Sequence, residues 1–343
     1  MSGKNRAHMQ SINILGVVRT NASASAVGPL FAELRRRGHR TVLFAEGGGQ
    51  AKHRLKDNVE ELTQLQQLLA AFETKFDVVV TGLSKEREFE QIAEAEAKRR
   101  GIPLVQVEDY WGGHVITDAE PNLLLVVDAM AEKMSRAAHP GVRTATVGLP
   151  GLFAVTPGDA LKNRLDEVRA TTGARLIVYT DTGAEAMETL PLLVASIRQT
   201  TTPVMLIPKW NPNLRNDASD DGRTWAERCE EIIVPLREQG KILDVPESTD
   251  EVVMCADLTA SGFSVLLFRA LCAGKQALTL WTPFVEHLLK VKTGLTETPL
   301  MMLGGPTLAQ PQPLDAILAQ KALSAGVKPF DPKAAADAVL SLV

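Results

Sequence analysis

Residues 256–281 read ADLTASGFSVLLFRALCAGKQALTLW, and this stretch decides the fold. It predicts a short strand at Asp257–Thr259, a turn of small polar residues at Ser261–Ser264, and a helix over Val265–Ala273. The apolar run Gln276–Leu280 predicts a second strand. A strand, a helix and a strand at this spacing form a right-handed βαβ unit, so the sequence predicts a parallel sheet.

The same alternation continues towards the N-terminus. Six apolar runs predict strands at Ile12–Val18, Arg40–Ala45, Phe76–Thr81, Pro103–Val107, Leu123–Val127 and Arg143–Val147. Helices are predicted at Ala26–Arg37, Asn58–Phe72 and Lys85–Arg100. Most of the strand runs are continuously apolar, which is typical of parallel strands covered on both faces.

Around the quoted unit, the second half of the chain follows the same pattern. Further strands are predicted at Leu176–Tyr179, Val204–Ile207 and Ile242–Val245. Further helices are predicted at Asp159–Thr171, Ala184–Arg198, Thr224–Gln239, Phe284–Val291, Leu314–Ala325 and Pro332–Leu342, with a helix N-cap at Ser248 and a loop over Thr298–Pro313. The chain therefore contains a second series of strands and helices.

Glycine and proline at residues 148–151 separate the two series, and 343 residues suffice for two domains. We predict an α/β protein with two doubly wound Rossmann-like domains, residues 11–151 and 152–331, facing a cleft. The last helix, residues 332–343, is expected to cross back to the N-terminal domain. Residues 1–10 are polar and resemble the remnant of an expression tag.

The composition narrows the class of protein. The net charge of −4 and the aromatic content of 5% argue against nucleic-acid binding, and no apolar run is long enough to span a membrane. Three widely spaced cysteines form no metal or redox pair and fit a reducing compartment, so we expect a cytoplasmic protein. We expect no metal and no cofactor. A homo-oligomer is compatible with the sequence.

The turn before Val265 is the first candidate site. Ser261 and Ser264 can cap the following helix, whose first N–H groups and dipole favour an anion, and Gly262 would let a phosphate approach the backbone. The structural alternative is ordinary helix capping. In a parallel sheet, ligands bind at the carboxyl ends of the strands, which is where this turn lies.

The second candidate is the segment EDYWGGH, which follows the strand Pro103–Val107. Glu108, Asp109 and His114 are candidate acid–base groups, and a glycine pair lies between them. The structural alternative is a turn that buries Trp111 in the core.

With these motifs, the chain resembles the GT-B glycosyltransferase superfamily, in its branch of UDP-GlcNAc 2-epimerases and CDP-glycerol glycerophosphotransferases. The ADLTASGFS segment is similar to the one that opens the donor-diphosphate helix in that group. IPKWNPN, at residues 207–213, resembles its His-Pro-Asn turn, and PFVEHLLKVKTG, at residues 283–294, resembles the segment before its last βα unit. The resemblance implies two Rossmann-like domains and a nucleotide-sugar donor.

Two positions depart from the family pattern. Arg269 lies near the place of a glutamate that holds the donor ribose, and arginine cannot accept hydrogen bonds. It can pair with a phosphate or with an acidic neighbour instead. Asn211 replaces the turn histidine and cannot act as a general base.

Three functions follow from this resemblance. The first is a transferase whose donor diphosphate lies at Ser261–Ser264 and near Gly183. In it, Glu286 and His287 lie near the sugar or ribose, and Asp109 or Glu108 deprotonates an acceptor bound to the first domain. The second is a non-catalytic protein that binds a nucleotide sugar or a protein partner. The third is a sugar epimerase or hydrolase.

Overall fold

A computed structural model describes residues 11–46, 55, 59–83, 88–113, 119–152, 155–181, 183–211, 214–215, 222–324 and 326–343. Two compact units form within it. The first unit contains residues 1–151 and 328–343, and the second contains residues 152–327.

The first unit is built on a seven-stranded sheet in which every strand pair is parallel. The strand order is β3-β2-β1-β4-β5-β6-β7. The strands are β1 Asn13–Val18, β2 Arg40–Glu46, β3 Glu60–Leu62, β4 Val78–Thr81, β5 Leu104–Val107, β6 Leu123–Val126 and β7 Arg143–Thr146. Six of them match the strands predicted from the sequence, and β4, β5 and β6 in the middle of the sheet are buried along their whole length.

Helices cover both faces of this sheet. They are α1 Asn21–Arg36, α2 Leu65–Ala71, α3 Glu88–Arg100 and α4 Ala129–Ala138. Alternate residues of β1 show the two layers: Ile14 packs in a core with residues of α1, whereas Leu15 packs in a core with residues of α2 and α3. The unit is therefore doubly wound, as predicted.

The predicted helix Asn58–Phe72 is wrong at its start. Residues 60–62 instead pair with Phe44–Glu46 as the edge strand β3. The side chain of Gln67 then accepts hydrogen bonds from the backbone N–H groups of Thr63 and Gln64, so α2 begins only at Leu65. A polar edge strand carries no apolar pattern, and its pairing with β2 is not visible in the sequence.

The end of the chain belongs to the first unit. Its helix α13, Pro332–Leu340, packs Ala335 and Val339 into the core that α1 shares with the sheet. Arg37 at the end of α1 pairs with Asp337 at 2.5 Å. At Gly148, whose φ is +90°, any side chain would collide with the carbonyl of Pro329, so only glycine fits beside the returning chain.

The second unit contains a five-stranded parallel sheet in the order β12-β11-β10-β8-β9. Its strands are β8 Arg175–Tyr179, β9 Val204–Pro208, β10 Leu258–Ser261, β11 Gln276–Leu280 and β12 Thr307–Leu308. Its helices are α5 Asp159–Thr172, α6 Ala186–Gln199, α7 Trp225–Glu238, α8 Thr249–Cys255, α9 Val265–Cys272, α10 Pro283–Thr293, α11 Pro299–Met302 and α12 Asp315–Leu318. This unit is also covered on both faces.

Three predictions for the second unit were wrong. Ile242–Val245 forms no strand and contributes only one bridge, from Ile242 to Leu206. The predicted helix Leu314–Ala325 is reduced to the four residues of α12, and the carbonyls of Ile317 and Gln320 accept hydrogen bonds from the side-chain amide of Gln276 where the helix ends. The predicted loop Thr298–Pro313 contains α11 and the edge strand β12. In the ranges that the structure describes, no helix is long and apolar enough to cross a membrane.

Candidate functional site

The carboxyl edge of the second sheet contains the turn that the sequence singled out. Strand β10 ends at Ser261 and α9 begins at Val265. Ser264 is the N-cap, since its hydroxyl accepts a hydrogen bond from the backbone N–H of Leu266 at 3.2 Å. The prediction that Ser261 also caps this helix is wrong. Ser261 is the last residue of the strand, fully buried, and its hydroxyl is directed elsewhere.

The partner of Ser261 is Asp181, which follows β8. One carboxylate oxygen of Asp181 accepts the Ser261 hydroxyl at 2.7 Å and the backbone N–H of Gly262 at 2.9 Å. The other oxygen accepts the Thr189 hydroxyl of α6 at 2.6 Å. The Tyr179 hydroxyl lies 2.9 Å from that of Thr189. A buried chain of hydrogen bonds therefore joins the loop after β8, helix α6 and the turn after β10.

Burial dominates the electrostatics of Asp181. Desolvation, followed by the nearby carboxylate of Glu185, raises the pKa of Asp181 to about 6, although the hydrogen bonds from Thr189, Ser261 and Gly262 oppose this shift. Glu185 is itself buried at the N-terminus of α6. Gly183 forms the turn between them, and its carbonyl accepts the backbone N–H of Ala186 at 3.1 Å.

Packing against α10 is a structural reason for glycine at position 262. A Cβ there would lie 2.9 Å from a methyl carbon of Val285 and 3.5 Å from the carboxylate of Asp181. Two further predicted contacts, Glu286 and His287, lie on α10 immediately after Val285 and are exposed. The Thr282 hydroxyl caps this helix by accepting the backbone N–H of Val285 at 3.2 Å.

Arg269 takes the second of its two predicted roles. It is 3% exposed, on α9, and its guanidinium pairs with the carboxylate of Asp250 on α8. Arg269 therefore joins two helices, α8 and α9. The acidic first turn of α8, visible in the sequence after Ser248, was the only indication of this pair.

Asn211 lies after β9 and is half-buried; residues 212–213 lie outside the described part of the chain. The two residues before it are anchored. Lys209 donates to the carbonyls of Val245 and Glu247 at 2.9 and 2.5 Å. The indole N–H of Trp210 donates to Glu230 at 2.7 Å, and its ring packs edge-on against Tyr179, with centroids 6.0 Å apart.

In the first unit, the segment from Glu108 follows β5 at the corresponding edge of its sheet. Trp111 is fully buried and donates its indole N–H to Asp128 at 3.0 Å. The structural alternative for this turn is thus correct for Trp111. Glu108 is also fully buried, and its backbone N–H donates to the carbonyl of Leu125 at 2.9 Å.

Asp109 differs from Glu108 and Trp111 because it is half-buried. Desolvation first, and the Glu108 carboxylate second, raise the pKa of Asp109 to about 7, against a backbone hydrogen bond that lowers it. A carboxyl group with this pKa exchanges protons near neutral pH, as a general base must. His114, the other predicted base, lies outside the described residues.

Sequence reasoning missed two groups of polar residues at these edges. Asp181 stands in a short polar loop after an apolar strand, but nothing in the sequence links it to residues eighty positions later. In the first unit, the buried carboxylate of Glu94 on α3 accepts the Thr81 hydroxyl and the Gln106 amide, each at 2.9 Å.

No family model and no curated protein matches the chain. Solved structures do. HepE of Anabaena, in complex with UDP-glucose, has a TM-score of 0.62 at 13% identity, with 96% of this chain and 98% of that chain covered. CalG4, the calicheamicin glycosyltransferase, has a TM-score of 0.58 at 16% identity, with 97% and 98% covered. MnaA of S. aureus, solved with UDP, has a TM-score of 0.55 at 11% identity, with 79% of each chain covered.

These neighbours are GT-B glycosyltransferases and UDP-GlcNAc 2-epimerase-like proteins. The two parallel sheets with their interleaved helices are the Rossmann-like domains of the GT-B fold. The predicted fold of two doubly wound Rossmann-like domains is confirmed, and the resemblance holds at the level of the GT-B fold. At identities this low, the similarity establishes the architecture and leaves the reaction to be argued from the residues.

Proposed function

We propose that the protein is a transferase that uses a nucleotide-diphosphate-activated donor, a nucleotide sugar, bound at the carboxyl edge of the sheet of the second unit. The observation that carries the proposal is the start of α9. A capped helix N-terminus follows a buried parallel strand at the carboxyl edge of the sheet, where backbone N–H groups and the helix dipole favour a diphosphate. Structural neighbours were solved with UDP and with UDP-glucose.

The other predicted contacts on the second unit are assigned to the donor. Gly183 lies two residues after Asp181, which hydrogen-bonds to the proposed diphosphate turn, and Asn211 follows the adjacent strand β9. Glu286 and His287 are exposed on the helix that packs against Gly262, so they are assigned to the sugar or ribose. Arg269 is withdrawn from the donor, because its partner is Asp250.

Asp109 is the proposed general base. It takes the proton of an acceptor hydroxyl as the acceptor oxygen attacks the anomeric carbon of the donor sugar. The bond between that carbon and the phosphate oxygen breaks, and the nucleoside diphosphate leaves with the electron pair. A pKa of about 7 allows Asp109 to accept this proton near neutral pH, whereas the fully buried Glu108 adjusts that pKa.

The test is a titration followed by an assay of turnover. UDP, CDP and GDP, and then their sugar conjugates, are titrated by thermal shift, and nucleotide release is measured with a panel of hydroxyl acceptors. A transferase binds one nucleotide diphosphate preferentially and releases it faster when the acceptor is present. Release at the same rate without any acceptor indicates a hydrolase, the third function.

One observation favours the second function, a protein that binds a nucleotide sugar without turnover. The acid that would hold the donor ribose is replaced by Arg269, and its guanidinium is engaged with Asp250. Saturable binding of a nucleotide sugar, with no release for any acceptor of the panel, would support that function over the transferase. Absence of binding by every nucleotide would exclude both.

A further inference from the structure

The turn proposed to hold the diphosphate does not stand alone, because a carboxylate holds it from within the protein. Asp181 is only 2% exposed, so it does not reach a ligand itself. Its oxygens accept three hydrogen bonds, of which two come from consecutive residues of the turn, Ser261 and Gly262. The orientation of the turn relative to α6 therefore depends on this one side chain.

This arrangement decides which groups can contact a phosphate. The Ser261 hydroxyl and the Gly262 N–H both donate to Asp181. The next backbone N–H groups at the start of α9 include those of Ser264 and Val265, and neither donates to a protein acceptor among the described residues. These two groups begin the helix, where the first N–H groups have no acceptor within the helix and favour an anion.

We propose that Asp181 is a positioning residue that fixes the turn Ser261–Ser264, so that the N–H groups of Ser264 and Val265 bind the donor diphosphate. The inference rests on the proposed function. It assigns to the buried loop after β8 a role in donor affinity that no direct contact would reveal. It also removes Ser261 and the Gly262 N–H from the set of direct ligands.

Two substitutions of Asp181 separate the effect of its hydrogen bonds from the effect of its negative charge. In Asp181→Asn, the amide oxygen still accepts from Ser261 and Gly262. Its NH₂ group donates to Thr189, whose own hydroxyl can donate to the carbonyl of Glu185, 3.0 Å away. The network stays complete while a negative charge near an anion site is removed. In Asp181→Ala, all three bonds are lost.

The experiment compares these two variants in two measurements. The first is the exchange rate of the Gly262 amide in the ligand-free protein, measured by NMR. The second is the affinity for UDP and for uridine, measured by calorimetry. Asp315→Ala is the control, because Asp315 likewise bridges two segments of the same unit, accepting from the N–H and hydroxyl groups of Thr201 and Thr202.

We expect Asp181→Ala to weaken UDP binding about tenfold or more, since two hydrogen bonds to a charged group are lost. Uridine affinity is expected to stay unchanged, and the Gly262 amide is expected to exchange faster. Asp181→Asn should exchange as the wild type does and bind UDP equally or more tightly. Asp315→Ala should lower stability without changing the ratio of UDP to uridine affinity.

Equal UDP affinity in the wild type and Asp181→Ala would overturn the inference, as would an unchanged Gly262 exchange rate. If Asp181→Ala does not fold, Ser261→Ala and Thr189→Val decide, because each removes one bond of the network. A wild type that binds neither UDP nor any other nucleoside diphosphate refutes the proposed function, and with it the ligand of the turn. The exchange measurement then still shows whether Asp181 holds the turn.

Discussion

The two units each place an aspartate after a strand at the carboxyl edge of a parallel sheet, and the two aspartates are held differently. Asp181 is buried, and both of its oxygens have named donors on other elements. Asp109 is half-buried, and no side chain in the described part of the protein donates to its carboxylate. Both have raised pKa values, about 6 and about 7.

The comparison shows that a raised pKa does not by itself identify a chemical role. Desolvation is the first cause at both positions, and a neighbouring glutamate is a further one. The two carboxylates differ in their exposure and in the number of hydrogen bonds that they accept from side chains. A carboxylate whose oxygens are fully hydrogen-bonded inside the protein holds structure together, whereas a half-buried one that accepts no side-chain hydrogen bond from the described residues is able to exchange a proton with a ligand.

The largest effect is predicted for Asp109→Asn. If Asp109 is the base, its loss lowers the transfer rate by about 100-fold or more, while donor affinity changes little. Since the ionised form is the active one, the wild-type rate should rise with pH through about 7 and then level off. Steady-state rates from pH 5 to 9, with calorimetric titration of the donor, measure both effects.

Trp111→Phe serves as the control for this turn. It removes the indole N–H that donates to Asp128 and leaves the carboxylate of Asp109 in place. We expect it to cost stability, about 1 kcal/mol for one buried hydrogen bond, and to retain the pH profile. Equal rates in the wild type and Asp109→Asn would remove Asp109 from the mechanism and leave both aspartates as structural groups.

The next effect concerns the pH dependence of stability. Folding raises the pKa of Asp181 from an unfolded value of about 3.9 to about 6, so the native state binds the proton more tightly. The stability contributed by Asp181 is therefore present at low pH and is lost as pH rises between these values. Asp181→Asn lacks this loss. Relative to the wild type, it should gain about 2 to 3 kcal/mol between pH 4 and pH 7 in urea unfolding.

At Asp315, which lies in the same unit, the pKa is shifted in the opposite direction, and the effect of pH on stability is reversed. Hydrogen bonds from Thr202 and Thr201 hold the pKa of Asp315 well below its ordinary value. Its contribution is present at neutral pH and lost on acidification, so Asp315→Asn should be less stable than the wild type at pH 7, with the difference shrinking towards low pH. If the free energies of unfolding of Asp181→Asn and the wild type change in parallel with pH, burial does not shift the pKa of Asp181.

Much of the fold follows from the sequence, because continuous apolar runs report strands buried on both faces. Gln276–Leu280 is β11 to the residue, and the turn before Val265 opens a helix as expected. The two strands that the sequence did not predict, β3 and β12, lie at the edges of sheets. Residues 60–62 and 307–308 are short strands that one neighbouring strand specifies through backbone pairing, with no apolar pattern of their own.

The candidate site was predictable by position and only partly by role. Parallel topology places the turns after β5 and β10 at the carboxyl edges, which periodicity alone reveals. The roles of Ser261 and Arg269 were not predictable, because their partners, Asp181 and Asp250, are set by the packing of separate elements. The long-range pairing of a buried polar group leaves no local pattern in one sequence.

The smallest effect predicted is that of Ser264→Ala, and it tests the donor side of the comparison. The Ser264 hydroxyl caps α9 through the backbone N–H of Leu266 at 3.2 Å. Its removal should cost about 1 kcal/mol of stability. Ser248 caps α8 by accepting the backbone N–H of Glu251 at 3.3 Å, and its hydroxyl also donates to the Glu251 carboxylate at 2.7 Å, so Ser248→Ala should cost at least as much. Both substitutions remove a serine N-cap in the second unit.

The two variants, Ser264→Ala and Ser248→Ala, differ in their affinity for UDP only if a diphosphate lies at the start of α9. As the hydroxyl of Ser264 accepts from the helix, its own hydrogen remains able to donate to a phosphate oxygen. Ser264→Ala should then weaken UDP binding by about 0.5 to 1.5 kcal/mol, whereas Ser248→Ala should leave it unchanged. Calorimetric titration with UDP measures the change in affinity of both variants, and urea unfolding measures the change in their stability. If both variants lose stability equally and bind UDP as the wild type does, Ser264 is only a cap. Donor affinity at this edge would then depend on the backbone N–H groups that Asp181 holds in place.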